Sequence, residues 1–121
     1  PGSGAAHETG SHGNVLNVPL APGSGGAEMR RAWGDMILPA VAGFSPDLII
    51  ISAGFDAAIE DPLANLNWTA EDFAWVTRAI FEMAHDVAGG RVVSTLEGGY
   101  DLDALGAGVR AHVVVMMEQG G

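Results

Sequence analysis

Two short segments of this chain carry side chains that could do chemistry together. Asp56 ends a Ser-Ala-Gly-Phe-Asp segment, and Tyr100 ends a Glu-Gly-Gly-Tyr segment. A carboxylate can bind a hard or borderline cation, and a phenol can donate a hydrogen bond to an oxygen that gains negative charge. Gly98 and Gly99 would let a substrate chain lie close to the backbone beside the tyrosine. An aspartate and a tyrosine facing one cleft would form a workable pair for such chemistry.

Each of the two segments follows an apolar run that predicts a β-strand. Residues 47–52 contain an unbroken run of apolar side chains, which predicts a strand buried on both faces in the centre of a parallel sheet. Residues 91–96 predict the next strand. Because the carboxyl ends of parallel strands meet at one edge of a sheet, we expect Asp56 and Tyr100 to lie at the same edge, where open α/β sheets place their chemistry.

The rest of the chain predicts helices that alternate with strands. The predicted strands are residues 14–18, 47–52 and 91–96, and the predicted helices are residues 27–43, a segment from the cap Thr69 to Gly89, and a last segment that starts near Asp101 or Asp103. Pro39 is expected to kink or locally break the first helix. The order favours an α/β fold in which a parallel sheet has flanking helices and right-handed crossovers.

Composition limits the class of protein and its partners. The 121 residues suit one small globular domain, and the lack of cysteine excludes disulfides and thiolate metal sites. A net charge of −10 disfavours nucleic acids as partners and favours the approach of a cation such as a lysine side chain or a polyamine, although it also serves solubility alone. No apolar stretch has the length of a membrane span and no export signal is visible, so we expect a cytoplasmic protein with no membrane partner.

The candidate residues also have plainer interpretations. An aspartate after a strand is often a helix cap or a turn former, and a sole tyrosine at a strand end is often a packed aromatic residue with a satisfied hydroxyl. His7 and His12 could form a metal site with Glu8, but their spacing in a loop favours solvated residues. His85 suits the end of its helix as a cation, and His112 is expected to pack on the last helix.

A long connection, residues 53–68, follows the 47–52 strand, and a loop of that length inside a compact domain is usually functional. An acidic cluster lies around it, comprising Glu60, Asp61, Glu71 and Asp72. The cluster could draw a cationic substrate toward the cleft. A solvated edge with a helix cap is the favoured interpretation for Glu71 and Asp72, and a role in structuring the loop before Pro62 is favoured for Asp61.

Three segments in this order resemble the histone deacetylase family. They are Ser52–Asp56, Asp61–Leu63 and Leu96–Tyr100, and residues 1–4 and 14–20 add weaker likenesses. The likeness is strongest to the bacterial branch, which includes acetylpolyamine amidohydrolases and acetoin-utilisation-type proteins. The resemblance implies a three-layer α/β fold of the arginase and deacetylase type, and zinc-dependent removal of acetyl or acyl groups from acetyl-lysine or acetylpolyamine-type amides.

The resemblance also implies residue roles. Asp56 corresponds to a ligand of the catalytic zinc, and Tyr100 to the tyrosine that polarises the acyl carbonyl and stabilises the oxyanion. Gly98, with Gly99 beside it, corresponds to the lining of a narrow acyl-lysine channel, and Leu63 to an apolar residue of the channel wall. In such a site a zinc-bound water hydrolyses the amide.

Two motifs that this family requires do not occur in the sequence. They are a tandem His-His that serves as general base and an Asp-x-His pair that supplies two further zinc ligands. Residues 1–121 therefore resemble the C-terminal part of a single catalytic domain without its N-terminal part, and the isolated chain is expected to be inactive. Ala58 replaces a histidine found in many bacterial relatives, which bears on the subfamily rather than on activity.

Two other functions remain open at this stage. The glycine turn before the last helix would suit an anion or nucleotide, although acidic residues surround it and no phosphate-binding fingerprint is present. Alternatively, the chain is a non-catalytic fragment or interaction module that self-associates through an exposed sheet edge. Neither the acyl amide that is cleaved nor the choice among zinc, iron and manganese follows from the sequence.

Overall fold

The computed structural model describes residues 2–120, so Pro1, which belongs to the predicted glycine-rich loop, lies outside the described residues. The elements in chain order are α1 Gly26–Ala32, a π-helical segment Trp33–Ile37, α2 Leu38–Phe44, β1 Ile49–Ala53, α3 Ala70–Ala88, β2 Val92–Leu96 and α4 Leu102–Gln119. β1 and β2 pair in parallel, with Ile49 opposite Val92 and Ala53 opposite Leu96, and α3 forms the crossover between them. The predicted α/β class with flanking helices is confirmed.

The prediction of a first strand over residues 14–18 is wrong. This segment is irregular, and in the described part of the chain the sheet has two strands rather than three. The Asn17 side chain donates from Nδ2 to the carbonyls of Ala5 and Glu8 at 3.1 and 2.9 Å, so side-chain bonds hold the segment against the preceding loop. Val15 and Leu16 remain 43% and 48% exposed, so within residues 2–120 no other element fully covers these apolar side chains.

β1 is covered on one face only, contrary to the expectation of burial on both. Ile49 and Ile51 pack against a cluster formed by Met29 of α1 and by residues of α3. On the opposite face Ile50 is 66% exposed and its neighbour Val93 on β2 is 53% exposed. A strand that is apolar on both faces is typical of a sheet with helices on both sides, and residues 2–120 supply only one of those layers.

Pro39 lies where the predicted first helix loses its regular α-helical bonding, in agreement with the predicted local break. It lies at the second position of α2, directly after the π-helical segment, in which the Leu38 N–H donates to the Trp33 carbonyl five residues earlier. Proline has no N–H to donate to the carbonyl four residues earlier. One wider, π-helical turn lets the chain continue as a helix past this missing bond. The helix therefore continues to Phe44, where Ser45 ends it in the left-handed conformation at φ 54°.

α3 and α4 begin at side-chain caps that hold them in place. Thr69 accepts from the Asp72 N–H and donates its own N–H to Asp72 Oδ2 at 2.9 Å, which confirms the predicted capping box. Asp72 also pairs with Arg30 at 3.2 Å and so ties α1 to α3. Asp101 caps α4 by accepting from the Ala104 N–H at 2.9 Å. None of the helices in the described range is both long enough and apolar enough to cross a membrane.

An aromatic core lies directly behind the end of β1. Phe55 is 3% exposed, and its ring centroid lies 5.0 Å from that of Phe73 and 5.8 Å from that of His112. Trp68 packs on the other side of Phe73 at 5.4 Å. Because Phe55 precedes Asp56 in the chain, this core sets where the aspartate leaves the sheet.

Candidate active site

The carboxyl ends of β1 and β2 meet at one edge of the sheet. The Glu97 N–H donates to the Ala53 carbonyl at 2.9 Å, and the Phe55 N–H donates to the Gly98 carbonyl at 2.8 Å. The parallel ladder thus continues for two residues beyond the strands. These bonds bring the segment of Asp56 next to the glycine turn that precedes Tyr100.

The Asp56 carboxylate lies against the backbone of two glycines. A Cβ atom at Gly98 would lie 3.0 Å from Asp56 Cγ, and one at Gly54 would lie 2.9 Å from Oδ1. Any side chain at either position would displace the carboxylate. Among the hydrogen bonds that residues 2–120 form, none ends on this carboxylate, so its oxygens are available to a cation.

Asp56 does not make a metal centre with other residues of the described range. No group of three histidine, cysteine, aspartate or glutamate side chains with metal-binding geometry occurs there, and His7 and His12 take part in none. Zinc in catalytic sites usually has three protein ligands. The donor set within residues 2–120 therefore does not fit zinc by itself, although a half-buried carboxylate at a strand end fits the role of one ligand.

The Tyr100 side chain is 59% exposed, which contradicts the plain interpretation of a packed aromatic residue. Within the part of the chain that the structure describes, its hydroxyl has no hydrogen-bond partner. Gly99 before it has φ +140°, a conformation that favours glycine, and a Cβ there would lie 2.7 Å from Leu105 Cδ1. The position of the phenol thus depends on how the backbone of this turn is held.

Asp61 holds that turn. Its carboxylate is 7% exposed, and Oδ2 accepts from the N–H groups of Tyr100 at 2.7 Å and Asp101 at 3.2 Å. Oδ1 accepts from the Leu63 N–H at 3.0 Å, which confirms the predicted loop-structuring role. Burial raises the pKa of Asp61, but the three backbone bonds outweigh it and hold the pKa below its ordinary value. The sequence predicts that Asp61 structures its own loop. It gives no signal for the bond to Tyr100, because that residue lies 39 positions further along the chain.

The acidic cluster of the sequence separates into different roles. Asp61 and Asp72 are buried and bonded to backbone or to Arg30. Glu60 is exposed and lines an open cleft of about 380 Å³ with Asp101 and Asp103 of the α4 start. The cluster is therefore not one cation-attracting surface.

His112 packs behind β2 rather than at the strand ends, as its position on the apolar stripe predicts. Nδ1 lies 2.7 Å from Thr77 Oγ1 and Nε2 lies 2.9 Å from Ser94 Oγ. The Thr77 hydroxyl donates to the Phe73 carbonyl at 2.6 Å, so Nδ1 carries the proton and Nε2 accepts from Ser94. Burial lowers the pKa of His112, which favours this neutral form.

An apolar cavity of about 410 Å³ lies between β1 and the helices, lined by residues that include Trp33, Ile51 and Trp68. Asp56, Leu63 and Tyr100 do not line it. The cavity belongs to the packing layer beneath the sheet, and the candidate site lies at the open sheet edge.

Comparison with known proteins gives a consistent result over nearly the whole chain. The family model described as the histone deacetylase domain matches residues 1–116. Histone deacetylase 10, chloroplastic, of Oryza sativa subsp. japonica is 45% identical over 112 residues, which are 90% of this chain and 25% of the relative. Histone deacetylase 14, chloroplastic, of Arabidopsis thaliana is 42% identical over 112 residues, 90% of this chain and 26% of the relative.

The crystal structure of the HDA15 HD domain superposes with a TM-score of 0.84 at 39% identity. The match covers 97% of this chain and 33% of that one. The chain thus spans about a quarter to a third of the length of these relatives.

Proposed function

This chain belongs to the histone deacetylase family, and we propose that it forms the Tyr100 side of a zinc-dependent amidohydrolase site. In this proposal residues 1–121 are the C-terminal part of a single catalytic domain that removes acetyl or acyl groups from acetyl-lysine or acetylpolyamine-type amides. The observation that carries the proposal is the joined end of the two strands, where the Phe55 N–H bonds to the Gly98 carbonyl at 2.8 Å and Asp56 lies against Gly98.

Each site residue has a role that its surroundings support. The Asp56 carboxylate takes no internal hydrogen bond in the described range and serves as one zinc ligand. The Tyr100 hydroxyl, which is solvent-accessible, donates a hydrogen bond to the acyl oxygen as that oxygen gains negative charge. Gly98 and Gly99 form the turn between Asp56 and Tyr100 and line the acyl channel with their backbone, and Leu63, 63% exposed, offers an apolar wall.

Zinc, when bound, supplies a water of lowered pKa and a Lewis acid for the acyl oxygen. The proposal requires two further ligands and a general base from residues outside this chain, since the sequence has no His-His or Asp-x-His. The net charge of −10 favours substrates whose remainder is cationic, such as lysine-rich peptides or polyamines.

The test uses the full product of the reading frame that contains this chain. We expect it to release acetate from an acetyl-lysine peptide or acetylated polyamine, to lose this activity with a chelator, and to regain it with Zn²⁺. Asp56→Asn should weaken zinc binding without unfolding the protein, and Glu60→Gln, an exposed carboxylate of the same loop, should retain both zinc and activity. Acetate release that survives chelation and the loss of Asp56 would contradict the proposal. Zinc-dependent acetate release by the 121-residue chain alone would contradict the requirement for outside ligands.

The uncovered face of the sheet supports a second candidate function, association with another chain. Ile50 and Val93 lie side by side on this face, and both are more than half exposed. Such a patch favours contact with a further apolar surface. Sedimentation velocity at increasing concentration would test self-association, which Ile50→Lys should abolish. A monomer at all concentrations would remove this candidate.

A further inference from the structure

Asp61 takes no part in the proposed chemistry, but its side chain accepts hydrogen bonds from the backbone of two proposed site residues. It lies in the loop between β1 and α3, and its own N–H donates to the Ala58 carbonyl at 3.0 Å. One oxygen binds the N–H groups of Tyr100 and Asp101, and the other binds that of Leu63. A single carboxylate therefore holds the main chain of two separate candidate site residues.

Within residues 2–120, Asp61 makes the only hydrogen bond to the main chain of Gly99 and Tyr100. The main-chain ladder between the strand ends stops at Gly98, and regular helix bonding resumes when the Leu105 N–H donates to the Asp101 carbonyl. Between these points lie Gly99, with its φ of +140°, and Tyr100. Glycine loses more conformational freedom on folding than any other residue, so this turn needs an anchor to hold one geometry.

The anchor acts on the phenol through the backbone. The Tyr100 side chain is exposed and its hydroxyl is unbonded within residues 2–120, so no side-chain contact of the hydroxyl compensates for a loose main chain. The Asp61–Tyr100 bond, at 2.7 Å, is short and charge-assisted. A misplacement of a catalytic group by about 1 Å can cost about 100-fold in rate.

We propose that Asp61 is a positioning residue, which sets the Tyr100 hydroxyl over the acyl group and places Leu63 at the channel wall from the same carboxylate. The positioning of the two backbones rests on the contacts above, and its catalytic consequence rests on the proposed function. Asparagine is the informative replacement because it has nearly the same shape. Its amide offers one accepting oxygen and one donating nitrogen, so Tyr100 and Leu63 cannot both keep an acceptor. In one orientation the Tyr100 N–H loses its acceptor, and in the other it keeps a neutral acceptor in place of the charge-assisted bond, so the Tyr100 N–H changes in both cases.

The first experiment measures the Tyr100 backbone directly. Tyr100 is the only tyrosine, so tyrosine labelled with ¹⁵N gives a single amide signal from this chain. In Asp61→Asn we expect this N–H to shift upfield and to exchange with solvent about tenfold faster or more, while far-UV circular dichroism stays unchanged. Glu60→Gln, the exposed neighbour, is the matched control and should change neither quantity. An unchanged Tyr100 signal and exchange rate in Asp61→Asn would overturn the inference.

The wild-type chain provides a second reading if Asp61→Asn does not fold. The Tyr100 N–H should exchange at least about tenfold more slowly than in an unstructured peptide, although its side chain is exposed. Exchange at the peptide rate would overturn the inference.

A double-mutant cycle in the full product of the reading frame tests the catalytic consequence. Asp61→Asn should lower kcat by about 10- to 100-fold in the wild-type background. In the Tyr100→Phe background it should lower kcat by less than about twofold, because the hydroxyl is gone and the placement of Leu63, an apolar wall for bound substrate, affects KM. Equal losses in both backgrounds would show that Asp61 acts independently of Tyr100 and would overturn the inference. A wild-type product without deacetylase activity would instead refute the proposed function, and the amide measurements alone would then decide whether Asp61 holds the turn.

Discussion

Replacing Gly108 with alanine tests whether α4 packs on the aromatic residue that leads into Asp56. A Cβ at Gly108 would lie 2.7 Å from Phe55 Cδ1 and 3.4 Å from Phe73 Cδ2, well inside ordinary contact distance for the first. Phe55 cannot move aside easily because it is 3% exposed and packed between Phe73 and His112. Overpacking of this kind costs about 1–3 kcal/mol.

A matched control isolates that cost. Gly106 lies in the same helix, two positions before Gly108, and a Cβ there would meet no atom within 4 Å. Gly106→Ala should therefore stabilise the chain by about 0.5–1 kcal/mol through helix propensity alone. Gly108→Ala gains the same propensity, so the difference in unfolding free energy between the two variants measures the overpacking and should be about 1–3 kcal/mol.

Urea denaturation followed by circular dichroism measures both free energies, and the same gap should appear as a difference in Tm of about 4 °C per kcal/mol. Gly108→Ala should be the less stable variant. If it were as stable as Gly106→Ala, the packing of α4 on Phe55, and with it the derived position of Asp56, would be refuted.

Two other predictions concern the framework around the site. Burial lowers the pKa of His112 below its ordinary 6.5. Below pH 6.5 the histidine therefore binds a proton more readily in the unfolded chain than in the folded chain. The free energy of unfolding should fall as the pH is lowered through 6.5. Urea titrations between pH 7.5 and pH 5, about the window in which histidine titrates, should show a smaller slope in His112→Gln than in the wild-type chain. Equal slopes in the two proteins would contradict the assignment. Thr69→Ala should cost about 1 kcal/mol of unfolding free energy through loss of the α3 cap, whereas Thr9→Ala in the exposed loop should change it by less than about 0.5 kcal/mol. Equal effects in urea denaturation would show that the cap contributes nothing.

Local patterns predicted the elements that carry the site. The apolar runs predicted β1 and β2, and Thr69 with Asp72 predicted the start of α3, because each of these signals lies within a few adjacent residues. The pairing of the strands then follows from the α/β order, which brings the Asp56 and Tyr100 segments together without further information.

The remaining features depend on residues that are distant in the chain. Asn14 to Val18 has the composition of a strand but no strand beside it within residues 2–120, and pairing rather than propensity decides whether a short apolar segment is extended. The Asp61 carboxylate meets Tyr100 across 39 positions, and His112 meets Thr77 across 35. Such contacts follow from the packed fold and have no local signal. The Asp61-Pro62 pair in a long connection predicts that the aspartate structures its loop, but it does not indicate Tyr100 as a partner.

The rate of acetate release by the full product of the reading frame, compared with its Tyr100→Phe variant, tests the central claim most directly. Tyr100→Phe removes only a hydroxyl that has no hydrogen-bond partner within residues 2–120, so the folded protein should lose no stability. If this hydroxyl stabilises the oxyanion, the variant should be slower by about 100- to 1,000-fold on an acetylated lysine peptide. Equal rates for the two proteins would contradict the account.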